Sequence, residues 1–138
     1  MRAVEIYRTK IARFTGTDYH EVIRNARRAY KDISSKTKRK PYVRSAYFKK
    51  EKVFLDYFWQ HMEDKSWRDR VRRLRFYPCA LDLIRNSHVT PVTVKNPNRI
   101  SEKLHRFSGV TKSGEIFVVQ IKEDVNRNEK YFISIYPG

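Results

Sequence analysis

Five residues within one short stretch have the types needed to cleave a phosphodiester without a metal ion: His105, Arg106, Lys130, Ser134 and Tyr136. They fall in KLHRFSGVTKSGEIFVVQIKEDVNRNEKYFISIY, residues 103–136. Attack by a ribose 2′-hydroxyl needs a base for that hydroxyl, an acid for the leaving 5′-oxygen and a cation for the pentacoordinate phosphate. His105 suits acid or base because imidazole titrates near neutrality. Arg106 or Lys130 suits the phosphate, Arg through its bidentate fork. Ser134 and Tyr136 can position the 2′-hydroxyl or the phosphate. Each has a plainer reading too: Arg106 as a surface cation, Ser134 as a strand filler, Tyr136 as packing at a strand end.

The elements that must present these side chains are strands. After His88 the apolar spacing changes from roughly 3.6 to 2. VTPVTVK is a short strand broken by Pro91 and therefore expected at an edge. ISEKLHRFSGVT, EIFVVQIKED and EKYFISIYPG follow as a meander joined by KSG and NRN turns. With Ser113-Gly114 as a two-residue turn, Lys112 faces Glu115, and His105, Phe107, Gln120 and Lys122 share a face. Pairing Gln120 with Ser134 brings Ser134 and Tyr136 to that face, with Arg106, Ser108, Phe117, Val119 and Ile121 on the other. The expected groove is thus His105, Gln120, Ser134 and Tyr136, and a one-residue slip would flip the set.

Ahead of the strands the periodicity is helical. Asp18 and Glu21 form a D-x-x-E cap, after which Val22, Ile23, Ala26, Tyr30 and Ile33 recur at helical spacing. SSKTKRKPYVRS reads as an exposed connector. Phe48, Phe54, Leu55, Phe58, Trp59 and Met62 predict a second helix. Ser66 and Asp69 cap a third, SWRDRVRRLRFY, and Pro78 opens a short one through ALDLIRN. The expected fold is α+β, with N-terminal basic helices packed on one face of a C-terminal antiparallel meander. A length of 138 residues suits a single domain over 1–138, with a helical part at 1–87 and a sheet part at 88–138.

Charge narrows the partner. The net charge is +16, a self-repulsion that a polyanionic ligand would relieve. Residues 1–87 carry 23 Lys and Arg against 10 Asp and Glu, and residues 88–138 carry 8 against 5. The run Lys38, Arg39 and Lys40 and the row Arg68, Arg70, Arg72, Arg73 and Arg75 are therefore expected phosphate contacts that position nucleic acid without reading sequence. A solvated face on a basic protein is the alternative. Tyr42, Tyr47 and Tyr57 lie among basic residues, where they could stack on bases or pack in the core. No apolar run approaches the roughly 20 residues of a spanning helix, and no signal segment opens the chain. With Cys79 as the only cysteine, a reducing, cytoplasmic setting is expected, and Cys79 itself reads as a buried small residue. His20, His61, His88 and His105 show no metal-ligand spacing, so neither metal nor cofactor is expected.

The blocks RFYPCALDLIRNS, LHRFSGVTKSGEIFVVQIKED and KYFISIYP resemble the phage-associated branch of the barnase, EndoU, colicin D and RelE-like (BECR) nuclease superfamily over roughly residues 74–137. The markers are a helix before the sheet and the strands H-R-F-x-G, G-x-x-F-x-V-Q-I and K-x-F-I-S-I-x-P. The resemblance implies a metal-independent endoribonuclease, of toxin or phage-derived effector type, acting on RNA such as transfer RNA. It implies catalytic side chains on a concave antiparallel sheet, where His105, Arg106, Ser134 and Tyr136 would fall. A toxin would also need an acidic antitoxin or immunity protein over the groove. The rival from another class is a non-catalytic nucleic-acid-binding or regulatory protein on the same sheet, and a third is a structural protein of a phage or ribonucleoprotein particle.

Overall fold

A computed structural model describes residues 5–16 and 18–138. A two-residue strand, β1 (Tyr7–Arg8), precedes α1 (Tyr19–Ser35), whose N-cap is Asp18, its carboxylate accepting from the His20 amide. That cap satisfies one of the amides a helix start leaves free. β2 (Tyr42–Ser45) and β3 (Glu51–Phe54) form a hairpin, and α2 (Asp56–Glu63) follows directly. α3 (Trp67–Leu74) starts at Ser66, whose hydroxyl accepts from the Asp69 amide, and α4 (Tyr77–Asn86) carries Pro78 in its first turn. β4 (Val92–Lys95), β5 (Glu102–Val110), β6 (Ile116–Asp124) and β7 (Glu129–Pro137) complete the chain. No helix among the described residues is long and apolar enough to cross a membrane.

The fold is α+β, and its sheet is mixed rather than antiparallel. β1 and β4 lie on one edge of β5, followed by β6, β7, β3 and β2. β5, β6 and β7 form the expected meander, but β1 runs parallel to β5 and β3 parallel to β7. The first 87 residues are therefore not purely helical. The helix expected from Phe48 begins only at Asp56, because residues 51–54 are strand, and the YVRS of the expected connector is β2. Lys49 and Lys50 turn the hairpin with φ of +56° and +69°, so no glycine marks the turn in the sequence.

The β5–β6 register corrects the expected one. Thr111 and Glu115 bracket a three-residue loop, with the Thr111 amide donating to the Glu115 carbonyl at 2.9 Å and Gly114 at φ +90°. The Gly114 amide donates back to the Thr111 carbonyl at 3.0 Å, a turn closed by a left-handed residue as three-residue hairpin loops favour. His105 consequently pairs with Ile121, Phe107 with Val119 and Gly109 with Phe117. Gln120 does pair with Ser134, and an extra residue, Ile133, bulges β7 between Phe132 and Ser134.

One face of the sheet, formed by Phe107, Phe117, Val119, Ile121, Phe132 and Ile135, is buried under the helices. Phe76, at the start of α4, stacks on Phe117, and Phe58 of α2 stacks on Phe132 at 4.7 Å. Val22 and Ala26 of α1 and Leu83 of α4 complete this core. The N-terminal segment is tied down by the buried Asp82, which accepts from Tyr7 Oη at 3.2 Å, the Lys10 amide at 2.8 Å and Asn86 Nδ2 at 2.8 Å.

Candidate functional site

The register divides the five expected catalytic residues between two faces. His105 and Lys130 point to the helix-covered side, where they are 6% and 4% exposed. Both nitrogens of His105 are engaged: Nδ1 lies 2.8 Å from Thr93 Oγ1 on β4, and Nε2 lies 2.8 Å from Glu123 Oε1 on β6. Lys130 Nζ is paired with Glu51 and lies 3.6 Å from Glu123 Oε2. Phe48 closes the cluster, its ring 5.0 Å from the His105 ring and 4.9 Å from Lys130 Nζ. Burial alone would raise the Glu123 carboxyl, but the hydrogen bond with His105 and the charge of Lys130 hold it below its ordinary range. This closed network fastens β4, β5, β6, β7 and β3 together at one end of the sheet. The expected groove of His105 with Gln120, Ser134 and Tyr136 does not form.

The other three, Arg106, Ser134 and Tyr136, do come together with Gln120 on the face the core leaves open. Arg106, Gln120 and Ser134 form a row across three adjacent strands. Arg106 Nε donates to Gln120 Oε1 at 3.0 Å, and its two Nη groups have no hydrogen-bond partner among the described residues. Tyr136 stands one position along, opposite Val118. Arg73 reaches the same place from α3, its guanidinium 6.0 Å from the Tyr136 ring and its Nη1 donating to the Ile135 carbonyl at 3.0 Å. Arg106 is exposed, and Gln120, Ser134 and Tyr136 are partly so.

Farther along this face, Tyr131, Phe54 and Tyr42 line up on β7, β3 and β2, with ring centroids 6.0 and 6.3 Å apart. Lys52 and Arg44 lie over Tyr42, and Lys122 lies over Tyr57 and Tyr131. Tyr42 and Tyr57 thus join a basic and aromatic surface, whereas Tyr47 packs inward on Phe107.

The expected phosphate contacts also divide. Lys38, Arg39, Lys40, Arg68 and Arg72 are exposed. Arg70 is committed internally, donating to the carbonyls of Lys65 and Glu63. Arg73 and Arg72 hold Asp69 at 3.0 and 3.1 Å. Burial would raise that carboxyl, and the two guanidinia, Arg73 foremost, bring it below its ordinary range. Arg75 Nε donates to the Gly16 carbonyl.

Sequence reasoning missed Thr93, Glu123 and Glu51 around His105, and it named Arg73 as a phosphate contact without placing it beside Tyr136. Glu123 was visible in the KED that ends its strand. Glu51 was hidden in a segment read as helix. Among the described residues no group of three or more His, Cys, Asp or Glu side chains is placed to hold a metal ion. Cys79 is buried, and burial pushes its thiol up to about 11, which leaves it a poor nucleophile near neutrality.

Fold and surface together define an α+β protein with a mixed sheet whose open face is basic and aromatic. No protein-family model, curated protein or solved structure matches the chain.

Proposed function

We propose that this chain binds RNA on its open sheet face and cleaves it by 2′-hydroxyl attack, with no metal ion. The observation that carries the reading is the row Arg106, Gln120 and Ser134, with Tyr136 and Arg73 beside it, on a chain of net charge +16. Arg106 holds the phosphate through its Nη groups, and Arg73 adds charge as the pentacoordinate state develops. Ser134 and Gln120 position the ribose, and Tyr136 donates its proton to the leaving 5′-oxygen. The row contains no imidazole, so the 2′-hydroxyl proton passes to solvent hydroxide, and the rate should climb with pH across the neutral range.

A second reading is favoured by one observation, the enclosure of His105. Without a neutral-pKa base on the open face, the same surface would serve binding alone, as in a regulatory protein. The deciding experiment incubates the purified protein with end-labelled transfer RNA in excess EDTA, beside Arg106→Ala, Ser134→Ala and Tyr136→Phe. Discrete cuts with 2′,3′-cyclic ends that Arg106→Ala or Tyr136→Phe slows at least tenfold are expected. Salt-sensitive binding with no cuts in several RNA classes would leave only the binding reading. A toxin role with an acidic neutralising protein is a further step, tested by whether expression arrests growth and Arg106→Ala relieves it.

A further inference from the structure

Trp67 is 63% exposed at the start of α3, an unusual position for the largest apolar side chain. Tyr19 of α1 braces it edge-on, with ring centroids 5.8 Å apart at 73°. Two open cavities share it as a wall. One, of about 560 Å³, is otherwise lined by residues of the α3 segment that include Arg68, Arg72 and Arg75. The other, of about 420 Å³, is lined by Asp18, Tyr19 and His20. Among the described residues the exposed Trp67 side chain thus lines both openings, and three guanidinium side chains line one of them. Asp69, also in the first wall, is neutralised by Arg72 and Arg73.

A flat, exposed aromatic that lines two openings, next to guanidinium charge, fits a planar base carried on a phosphate backbone. We propose that Trp67 is a stacking platform for an unpaired base of a single-stranded nucleic acid, with Arg68, Arg72 and Arg75 holding the adjoining phosphates. A duplex buries its base faces and cannot use the platform. The site thus directs the protein to single-stranded RNA or to unpaired loops. This inference rests on the nucleic-acid half of the function proposed above and is independent of cleavage.

The test reads Trp67 directly. Trp59 is the other of the chain's two tryptophans and packs on Tyr30, Phe58 and Tyr77, so a Trp59→Phe protein reports on Trp67 alone. It is titrated with 2′-O-methyl oligouridylate, which lacks the attacking hydroxyl, and with a blunt duplex, heparin and polyglutamate. The oligouridylate should quench Trp67 emission by at least half, while the duplex and heparin bind with little quenching. Trp67→Ala should weaken oligouridylate binding about tenfold and leave heparin binding unchanged, and Trp67→Phe should retain most of the affinity. If Trp59→Phe perturbs folding, the difference in emission between the wild type and Trp67→Phe gives the same reading. Equal quenching by heparin, or full affinity in Trp67→Ala, would overturn the platform. Quenching by polyglutamate alone would overturn it too and assign the patch to an acidic protein. Quenching without cleavage in the transfer RNA assay would remove only the catalytic half of the earlier proposal.

Discussion

His105 Nε2 lies 2.8 Å from Glu123 Oε1 on the helix-covered side of the sheet, and the pair makes stability depend on pH. Glu123 is held below its ordinary value of 4.5 by His105 and Lys130, against the upward push of burial. A carboxyl lowered on folding stabilises the folded chain above its ordinary range, and that contribution is lost as pH falls through the folded value. Glu123→Gln should therefore be less stable than the wild type by roughly 1 kcal/mol at neutral pH, with the gap narrowing towards pH 3. Urea midpoints measured across that range check this, and a gap independent of pH would refute the linkage.

The split between faces predicts opposite behaviour from neighbouring residues. His105→Ala empties a site shared by Thr93, Glu123 and Phe48, and should cost about 1–3 kcal/mol of stability. Its affinity for RNA, measured where the variant is folded, should stay near that of the wild type. Arg106→Ala removes an exposed side chain bonded only to Gln120 among the described residues. It should leave the melting temperature within about a degree or two while weakening RNA binding severalfold. Thermal melts paired with filter binding on both variants separate the two roles.

The residues show why the helices and the meander could be read from sequence while the site could not. Asp18 and Ser66 cap helices where their spacing to Glu21 and Asp69 indicated, since capping is local chemistry. The face carrying His105 depended on a single residue of loop length. Ser113-Gly114 has the composition of a two-residue turn, but Gly114 takes the left-handed last position of a three-residue loop. The bulge at Ile133 then decides that Ser134 and Lys130, four apart, face opposite ways. β2 and β3 were hidden because basic residues, two of them at positive φ, replace the usual Gly or Asn in their turn. β1, two residues long, has no periodicity to detect.

Gly109 lies where the sheet packs closely on Leu83 of α4. A Cβ there would come 2.5 Å from Phe117 Cζ and 2.9 Å from Leu83 Cδ1, and both partners are buried. Gly109→Ala should cost about 1–3 kcal/mol through overpacking. Phe117→Leu opens space at that contact, so the double variant should lose less than the sum of the two single ones. Strict additivity in chemical denaturation would show that the contact relaxes freely and that this glycine is not needed for packing.

Asp82 ties the first strand to the rest of the fold from a buried position in α4, accepting from Tyr7 Oη and the Lys10 amide while Asn86 holds its other oxygen. Burial first, and then the Asp82 charge, push the Tyr7 phenol up to about 12. Asp82→Ala would take the acceptor from these donors, a loss of about 1–3 kcal/mol. The damage should be local. Among the described residues β1 pairs with β5 only at Gly109 and Val110, and the Thr9 amide donates to the Val110 carbonyl at 3.0 Å. Hydrogen exchange at Thr9 and Lys10 should thus speed up far more than in β6 or β7. Asp82→Asn keeps an acceptor oxygen and should restore much of the protection. A uniform rise in exchange across the whole sheet would instead make Asp82 a determinant of global stability and β1 an integral part of the cooperative unit.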